Sequence, residues 1–446
     1  MPLIKRGVFP ALQTSLSEQY ISVIIGPRQA GKSTLMNQLI NILKTDGYGD
    51  NDIAQFNFDL PELRARVSSR PESFLQIVEQ NFGQALSSIT DRKFIFIDEA
   101  QKLPAIFDIL KIIHDQHKQY LKIIISGSSS LNLYQHSAET LAGRARFFHV
   151  SSLSWRELVA HHFSLNTDQS LISIITKNEF TNDKYLALQQ SLFRAQNQIE
   201  IVWNNYFLAG GLPEIYLMEK HEQRSLALRD YIATYLDKDI RALSSVGDAD
   251  IFLSALNYFL QNDSQLINLS SLSESIGLQR VTLKKYLRVL ADTFLVSELA
   301  PFVRPAKQSI KSPKIYFFDH GLINYAKKIY SLEQLSVSEQ FGAAFENIIV
   351  NNCLKHFAND PEPGTVNFWR DYQDHEIDIV ITGGKNIVPI EITAAAQITR
   401  QKTNNFKSFF RAHPECGVGY IVYQGEFQKI AVENKTVFLL PHWMWW

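Results

Sequence analysis

The chain has 446 residues, with 44 Lys and Arg against 45 Asp and Glu for a formal net charge of −1, and 45% of it is hydrophobic. That length exceeds one ordinary core and calls for roughly two to four domains. The balanced charge excludes general electrostatic attachment to nucleic acid, so any such contact needs a local patch. Two cysteines, Cys353 and Cys416, lie far apart without metal-type spacing, which argues against a disulfide framework or zinc site and fits a reducing cytoplasm.

The opening residues, MPLIKRGVFPAL, hold no continuous apolar segment of signal length, and no later stretch approaches the ~18 apolar residues of a membrane helix. A cytoplasmic protein without membrane contact is expected. The apolar run ISVII then leads directly into Gly26-Pro27-Arg28-Gln29-Ala30-Gly31-Lys32-Ser33, the pattern G-x-x-x-x-G-K-[ST]. Its glycines let the backbone wrap a polyphosphate with N–H groups turned inward, and the next helix adds its positive N-terminal end. After the lysine, STLMNQLINIL repeats apolar residues at helical spacing, which supplies the strand, loop and helix setting of a true phosphate loop. Residues 26 to 33 and Thr34 are the candidate contacts to ATP, with Lys32 on the β- and γ-phosphates and Ser33 on Mg2+.

From residue 21 to about 150, short β-rich runs (ISVII, IAQFNF, KFIFID, LKIIISG, RFFHV) alternate with helical segments, which predicts an α/β domain over 1–150 with a parallel sheet covered by helices. The run Phe94-Ile95-Phe96-Ile97 delivers Asp98 and Glu99 at its carboxyl end, where open α/β sheets place ligands. Asp98 is expected in the magnesium shell and Glu99 as the group that orients and polarises the attacking water. His114 and His117, spaced i, i+3, are read as a solvated helix face. In IIISGSSS, one of Ser126, Ser128 and Ser129, foremost Ser128, could act as a polar sensor near the γ-phosphate; an ordinary turn is the alternative.

From SSLSWREL onward the strands stop, and 151–245 reads as a helical region whose polar stretch NTDQSLISIITKNEFTNDKY is taken as an insertion or exposed connection. Residues 246–332 have the grammar of a winged helix-turn-helix, with Ser271 capping a first helix, Gly277 supplying the turn and a second helix from about 279 to 290. Leu283, Leu287 and Leu290 form an inward stripe that leaves Lys284, Lys285 and Arg288 on another sector. Those basic residues could bind phosphates of duplex DNA, with Arg280 and Thr282 reaching base edges. The stripe alone demands only a packed helix, and such helices also dock proteins, so both partners stay open.

Residues 333–446 open with a helix around EQFGAAFENIIVNNCLKHF and continue in short strands. A two-residue turn at Gly383-Gly384 would pair Asp378 with Pro389, leaving Asp378 and Glu391 diagonal neighbours on one face. Facing carboxylates need a counter-charge, so a metal or a basic residue is expected there, with Glu346 as a further oxygen ligand. The aromatic tail, His442 to Trp446, is read as packed on this domain.

GPRQAGKSTL, FIFIDEAQ, SGSSSL and LAGR, in this order, resemble the AAA-type ATPases of bacteria and archaea that carry an uncharacterised C-terminal domain. YFLAGGLPEIY and YLDKDI match the helical part of that domain. The resemblance implies an ATPase core in the AAA sheet arrangement, then helical, winged-helix and restriction-endonuclease-like parts. It assigns the LAGR arginine to Arg144, a guanidinium that would neutralise charge at a γ-phosphate in its own subunit or a neighbouring one of an oligomer. Arg146 is a second candidate, and a surface ion pair is the alternative for both.

In the restriction-endonuclease-like fold an acid and an E-x-K element bind magnesium and activate water. Here that element reads Glu391-Ile392-Thr393, without the ammonium, unless Lys385, Arg400 or Lys402 replaces it. Duplex cleavage is therefore not expected. The leading expectation is an ATPase that uses magnesium and ATP hydrolysis to rearrange its C-terminal modules on a DNA or protein client. An ATP-dependent binding switch with little turnover and a metal-dependent DNA nuclease are the alternatives.

Overall fold

The computed structural model describes residues 3–127, 140–165, 170–193, 195–235, 249–302, 312–362, 364–383 and 386–446. The chain divides into two compact units. One comprises Arg6–Ser151 with Asp292–Phe294, and the other comprises Ser152–Ala291 and Leu295–Trp446 together with the opening residues.

The first unit is an α/β domain. Its strands β1 (Ile21–Ile25), β2 (Ile53–Asn57), β3 (Lys93–Asp98), β4 (Leu121–Gly127) and β5 (Ala145–His149) form one sheet in the order β2-β3-β4-β1-β5. Every neighbouring pair is parallel. Such a sheet is buried on both faces, which is why β1, β3 and β4 read as continuous apolar runs rather than alternating ones. Successive residues go to opposite cores. Ile24, Phe94, Phe96 and Ile124 pack with Leu35, Leu39 and Leu43 of the helix Lys32–Thr45. Val23, Ile25, Ile95, Ile97, Ile123 and Ile125 pack with Ile106, Leu110 and Ile113 of the helix Ile106–His117.

The second unit begins as helices, among them Trp155–Phe163, Leu171–Thr176 and Gln196–Ala209. Part of the stretch taken as an exposed connection is core: Leu171, Ile172, Ile174 and Ile175 are buried, and the Ile172 N–H donates to the Trp446 carbonyl at 3.3 Å, whereas most of 177–184 is exposed. Those four apolar residues outweigh the polar flanks that suggested a loop. The helices Leu269–Ile276 and Arg280–Asp292 follow, then an antiparallel pair of β6 (Val296–Leu299) and β7 (Lys314–Phe317). The cap of the first of these helices is Asn268, whose side chain accepts from the Ser270 and Ser271 N–H groups, so Ser271 lies inside the helix rather than at its cap. Gly277 ends that helix at φ 69°, where a side chain would be strained.

The C-terminal sheet runs β12-β13-β11-β10-β9-β8, built from β8 (Thr365–Arg370), β9 (Glu376–Gly383), β10 (Asn386–Thr393), β11 (Val418–Tyr423), β12 (Gln428–Val432) and β13 (Lys435–Pro441). β8, β9 and β10 pair antiparallel, and the helix Arg400–Ala412 carries the chain across to β11, parallel to β10. The helix Phe341–Phe357 precedes the sheet and packs Phe345, Ile348 and Ile349 into a core with Ile379, Ile381, Ile390 and Ile392.

The β9–β10 register differs from expectation. Asn386 pairs with Gly383 and Pro389 with Val380, which is not the pairing that a Gly383-Gly384 turn would set; residues 384–385 lie outside the described residues. Turn choice sets hairpin register, and Gly-Gly-Lys offers two choices one residue apart. Moving one residue on each strand keeps every side chain on its face but brings Asp378 opposite Glu391 instead of diagonal to it.

The aromatic tail is part of the core, with Trp445 and Trp446 each 1% exposed and the Trp445 indole N–H donating to the Ile349 carbonyl at 3.1 Å. Trp445→Ala should therefore destabilise the second unit by about 3–5 kcal/mol. All six tryptophans lie in that unit, so the fluorescence of the remaining ones in a urea titration measures the loss.

Candidate functional site

The phosphate loop leaves β1 at Gly26, whose φ is 154°, and a Cβ placed there would lie 1.9 Å from the Val150 carbonyl oxygen. Only glycine fits. Gln29 at φ 56° and Gly31 at φ 97° then curl the backbone into the helix Lys32–Thr45. Gly31 is that helix's N-cap and has no side chain to cap it, so the first-turn N–H groups are left for an anion. The buried Lys32 ammonium donates to the carbonyls of Gly26 at 2.9 Å and Pro27 at 2.7 Å, spanning the loop mouth. Arg6 braces the loop from behind, donating to the Ala30 and Ser151 carbonyls at 2.6 Å each. Sequence reading missed Arg6, because no motif links it to a loop more than twenty residues downstream.

The strand register brings the other candidates to this mouth. Ile25 stands beside Gly127 across the β1–β4 ladder and Ile97 beside Ile125 across β3–β4, so the carboxyl ends of the three strands lie level. Ser33 Oγ donates to Asp98 Oδ2 at 2.7 Å, and Ser126 donates to Asp98 Oδ1. Hydroxyl and carboxylate oxygens so placed suit Mg2+, which takes hard oxygen ligands. Of the three serines considered, Ser126 is the one seen at Asp98; Ser128 lies outside the described residues. Glu99 follows at φ 56°, a left-handed conformation uncommon for a non-glycine residue. Its carboxylate accepts from the Gln101 side-chain amide at 2.5 Å. Gln101 is a second positioning group that sequence reading quoted in FIDEAQ but did not assign.

Arg144 and Arg146 are elsewhere. Ala145 pairs with Ile21 at the amino end of β1, whereas the phosphate loop leaves the carboxyl end, about 13 Å away at 3.3 Å per residue. Arg144 Nε and Nη2 donate to the two oxygens of Asp115 at 2.6 and 2.9 Å, a surface ion pair. The Arg144 hydrogen bonds hold the Asp115 carboxyl down at about 2. Arg146 pairs with Glu18. Neither guanidinium reaches the γ-phosphate position of its own chain. His114 is buried rather than solvated, with Nε2 3.1 Å from the Gln19 carbonyl.

Residues 18–159 match the family described as "AAA domain". The first unit is a P-loop domain of the AAA type. Two further families, both described as domains of unknown function (DUF8612 and DUF4143), match residues 201–333 and 341–443. An uncharacterized protein of Mycobacterium tuberculosis is 25% identical over 383 residues, covering 85% of this chain and 72% of its own length. One of Haemophilus influenzae is 24% identical over 313 residues, 69% of either chain. Among solved structures, Cdc6p from Pyrobaculum aerophilum aligns at 13% identity over 74% of this chain and 95% of its own, with a TM-score of only 0.28.

Beyond the AAA domain, the second unit gathers Glu346, Glu376, Asp378 and Glu391. The acids expected to share a metal surround lysines instead. The Lys402 ammonium bridges Asp378 Oδ2, at 3.3 Å, and Glu391 Oε2. Lys314, which sequence reading missed, lies 2.9 Å from Glu346 Oε1, 2.5 Å from Glu376 Oε1 and 3.6 Å from Asp378 Oδ1. Burial by itself would raise the Asp378 carboxyl, but the Lys402 and Lys314 ammoniums overcome it and hold Asp378 well below the usual carboxylate range. Burial pushes Glu346 and Glu391 up. Among the described residues no group of three or more His, Cys, Asp or Glu side chains is placed to hold a metal ion. Of the metal or basic residue expected beside Glu346, Asp378 and Glu391, it is basic residues that lie against them. The Thr393 hydroxyl accepts from the Ala395 N–H and takes no part in the cluster.

On the helix Arg280–Asp292, Leu283, Tyr286, Leu287, Val289 and Leu290 are buried while Arg280, Lys284, Lys285 and Arg288 are exposed and Thr282 is half-buried. The basic face is therefore presented outward.

Gly26→Ala forces a Cβ onto the Val150 carbonyl and must displace the loop. Nucleotide affinity should fall about tenfold or more, the equivalent of 1–3 kcal/mol of backbone strain, in a titration with a fluorescent ATP analogue.

Proposed function

We propose that the AAA domain binds ATP with Mg2+ and hydrolyses it, in the cytoplasm, to rearrange the C-terminal modules on a DNA or protein client. The observation that carries this reading is the convergence of Ser33, Asp98 and Ser126 at the mouth of the phosphate loop, with Glu99 beside them. Bound ATP would supply the phosphoryl group, and Mg2+ its charge neutralisation. Lys32 would exchange the Gly26 and Pro27 carbonyls for phosphate oxygens, and Ser33 with Asp98 would hold the cation. Glu99, oriented by Gln101, would accept a proton from the attacking water. A binding switch with little turnover has no need of that carboxylate. A role for Arg144 would belong to the site of a neighbouring copy in an oligomer, since its own site is beyond its reach.

The client contact that the geometry favours is duplex DNA, through the exposed Lys284, Lys285 and Arg288, with Arg280 and Thr282 at the helix start. A nuclease reading is disfavoured, because of the three acids that would hold the metal Asp378 and Glu391 are engaged by Lys402 and Glu346 by Lys314.

Lys32→Ala should abolish ATP binding or weaken it severely, whereas Glu99→Gln should keep the affinity and lose hydrolysis, because an amide preserves shape but accepts no proton. Calorimetry and phosphate release on both variants test this; equal loss of affinity in the two contradicts the separate roles.

Changing Lys284, Lys285 and Arg288 together to Ala should weaken duplex binding and reduce the log–log salt slope by about one unit for each phosphate that is no longer neutralised. An unchanged affinity and slope across a salt titration would remove DNA from this helix.

A further inference from the structure

The cation in the C-terminal acid cluster belongs to the chain. Lys314 opens β7, and its backbone is held on both sides, paired with Leu299 of β6 and bridged to Leu266. A strand so fixed does not withdraw without breaking both pairings. Its side chain is 4% exposed, and its ammonium faces Glu346, Glu376 and Asp378 at 2.9, 2.5 and 3.6 Å. Two residues on along the same strand, the Tyr316 hydroxyl donates to Glu346 Oε1 at 2.7 Å. On the other side of Asp378, Lys402 reaches from the helix Arg400–Ala412 to Asp378 and Glu391, while the Asn405 amide donates to Glu391 Oε1 at 2.6 Å. Arg370 adds a third cation, 3.3 Å from Glu376 Oε2.

Carboxylates converging on one buried point are what a hard divalent cation recruits. Here that point is filled: the four acids are met by three basic side chains, Glu391 Oε1 accepts from the Asn405 amide, and Asp378 Oδ2 accepts also from the Ile392 N–H. A divalent ion would have to expel a buried ammonium and leave it unpaired.

We propose that Lys314, with Lys402, occupies the position of a divalent metal in this cluster and makes it a metal-independent lock joining β7 to the β9–β10 hairpin. With its carboxylates committed to resident ammoniums, the hairpin has none left to hold a divalent cation. The lock also ties the strand pair next to the basic helix to the C-terminal sheet as one electrostatic body. Nothing in this depends on the nucleotide site.

The test uses the full chain without nucleotide, tryptophan fluorescence melting and Mn2+ as the probe. In the natural protein the midpoint should be the same in EDTA and in millimolar MnCl2. Lys314→Met removes the ammonium that faces Glu346, Glu376 and Asp378, so its midpoint should fall by roughly 5–10 °C in EDTA and recover in part with Mn2+, now admitted to the vacated position. An unchanged midpoint in Lys314→Met, or a lowered one that Mn2+ leaves where it is, overturns the proposal. Should Lys314→Met fail to fold, Mn2+ binding to the natural protein, followed by electron paramagnetic resonance against Asp378→Asn, decides. No difference between the two supports the lock; one Mn2+ bound by the natural protein and lost in Asp378→Asn overturns it.

Discussion

β4 lies between β1 and β3, and the chemistry of the first unit depends on that placement. A parallel ladder carries no freedom in which ends of its strands meet. Once Ile25 stands beside Gly127 and Ile97 beside Ile125, the phosphate loop, Asp98 and Ser126 must emerge at one edge. The same ladder, extended to β5, sends Arg144 and Arg146 to the opposite edge. One register therefore assembles the hydroxyl and carboxylate corner and, by the same geometry, keeps Arg144 and Arg146 away from it. Ligand sites of open α/β sheets lie at the carboxyl ends of strands where the order reverses, and here the chain goes from β1 to β2 at one edge of the sheet and from β4 to β5 at the other.

Support for the loop comes from groups outside the motif. Arg6 fixes the Ala30 carbonyl from behind, Lys32 closes the mouth through two loop carbonyls, and Gln101 holds Glu99. These hydrogen bonds keep the cradle shaped before any phosphate arrives, so less ordering remains to be done on binding. The left-handed Gln29 and Glu99 place two non-glycine residues in conformations that cost free energy, both at the site, and Glu99 is held by Gln101.

The C-terminal sheet shows how one missing residue type can be answered from two places. Thr393 stands where an ammonium is expected, and the hairpin instead receives Lys402 from the following helix and Lys314 from a strand some sixty residues before it in the chain. Lys402 was one of three basic residues the sequence offered as a replacement. Lys314 was invisible as such, because a single lysine at the start of an apolar strand, KIYFF, reads as a surface end until tertiary structure buries it. Charged groups this deep persist only when paired, which is how four acids and their bases came to share one site.

By itself the sequence determined the five strands of the first unit, the loop with Lys32 and Ser33, the acidic pair at the end of β3, and a basic helix with its apolar stripe, because each is a local pattern of period or spacing. It also determined that Asp378 and Glu391 share a face, since parity survives a one-residue error in the turn. Only the tertiary structure decided the rest. It chose Asn268 over Ser271 as a helix cap, changed the hairpin register, buried the isoleucines of Leu171–Thr176 under the tail, and brought Ser126 to Asp98. It separated Arg144 from the loop and put Lys314 among the acids. These outcomes depend on which distant segments meet, and a buried charge or a turn with two workable registers takes its final form from partners that are far away in the chain.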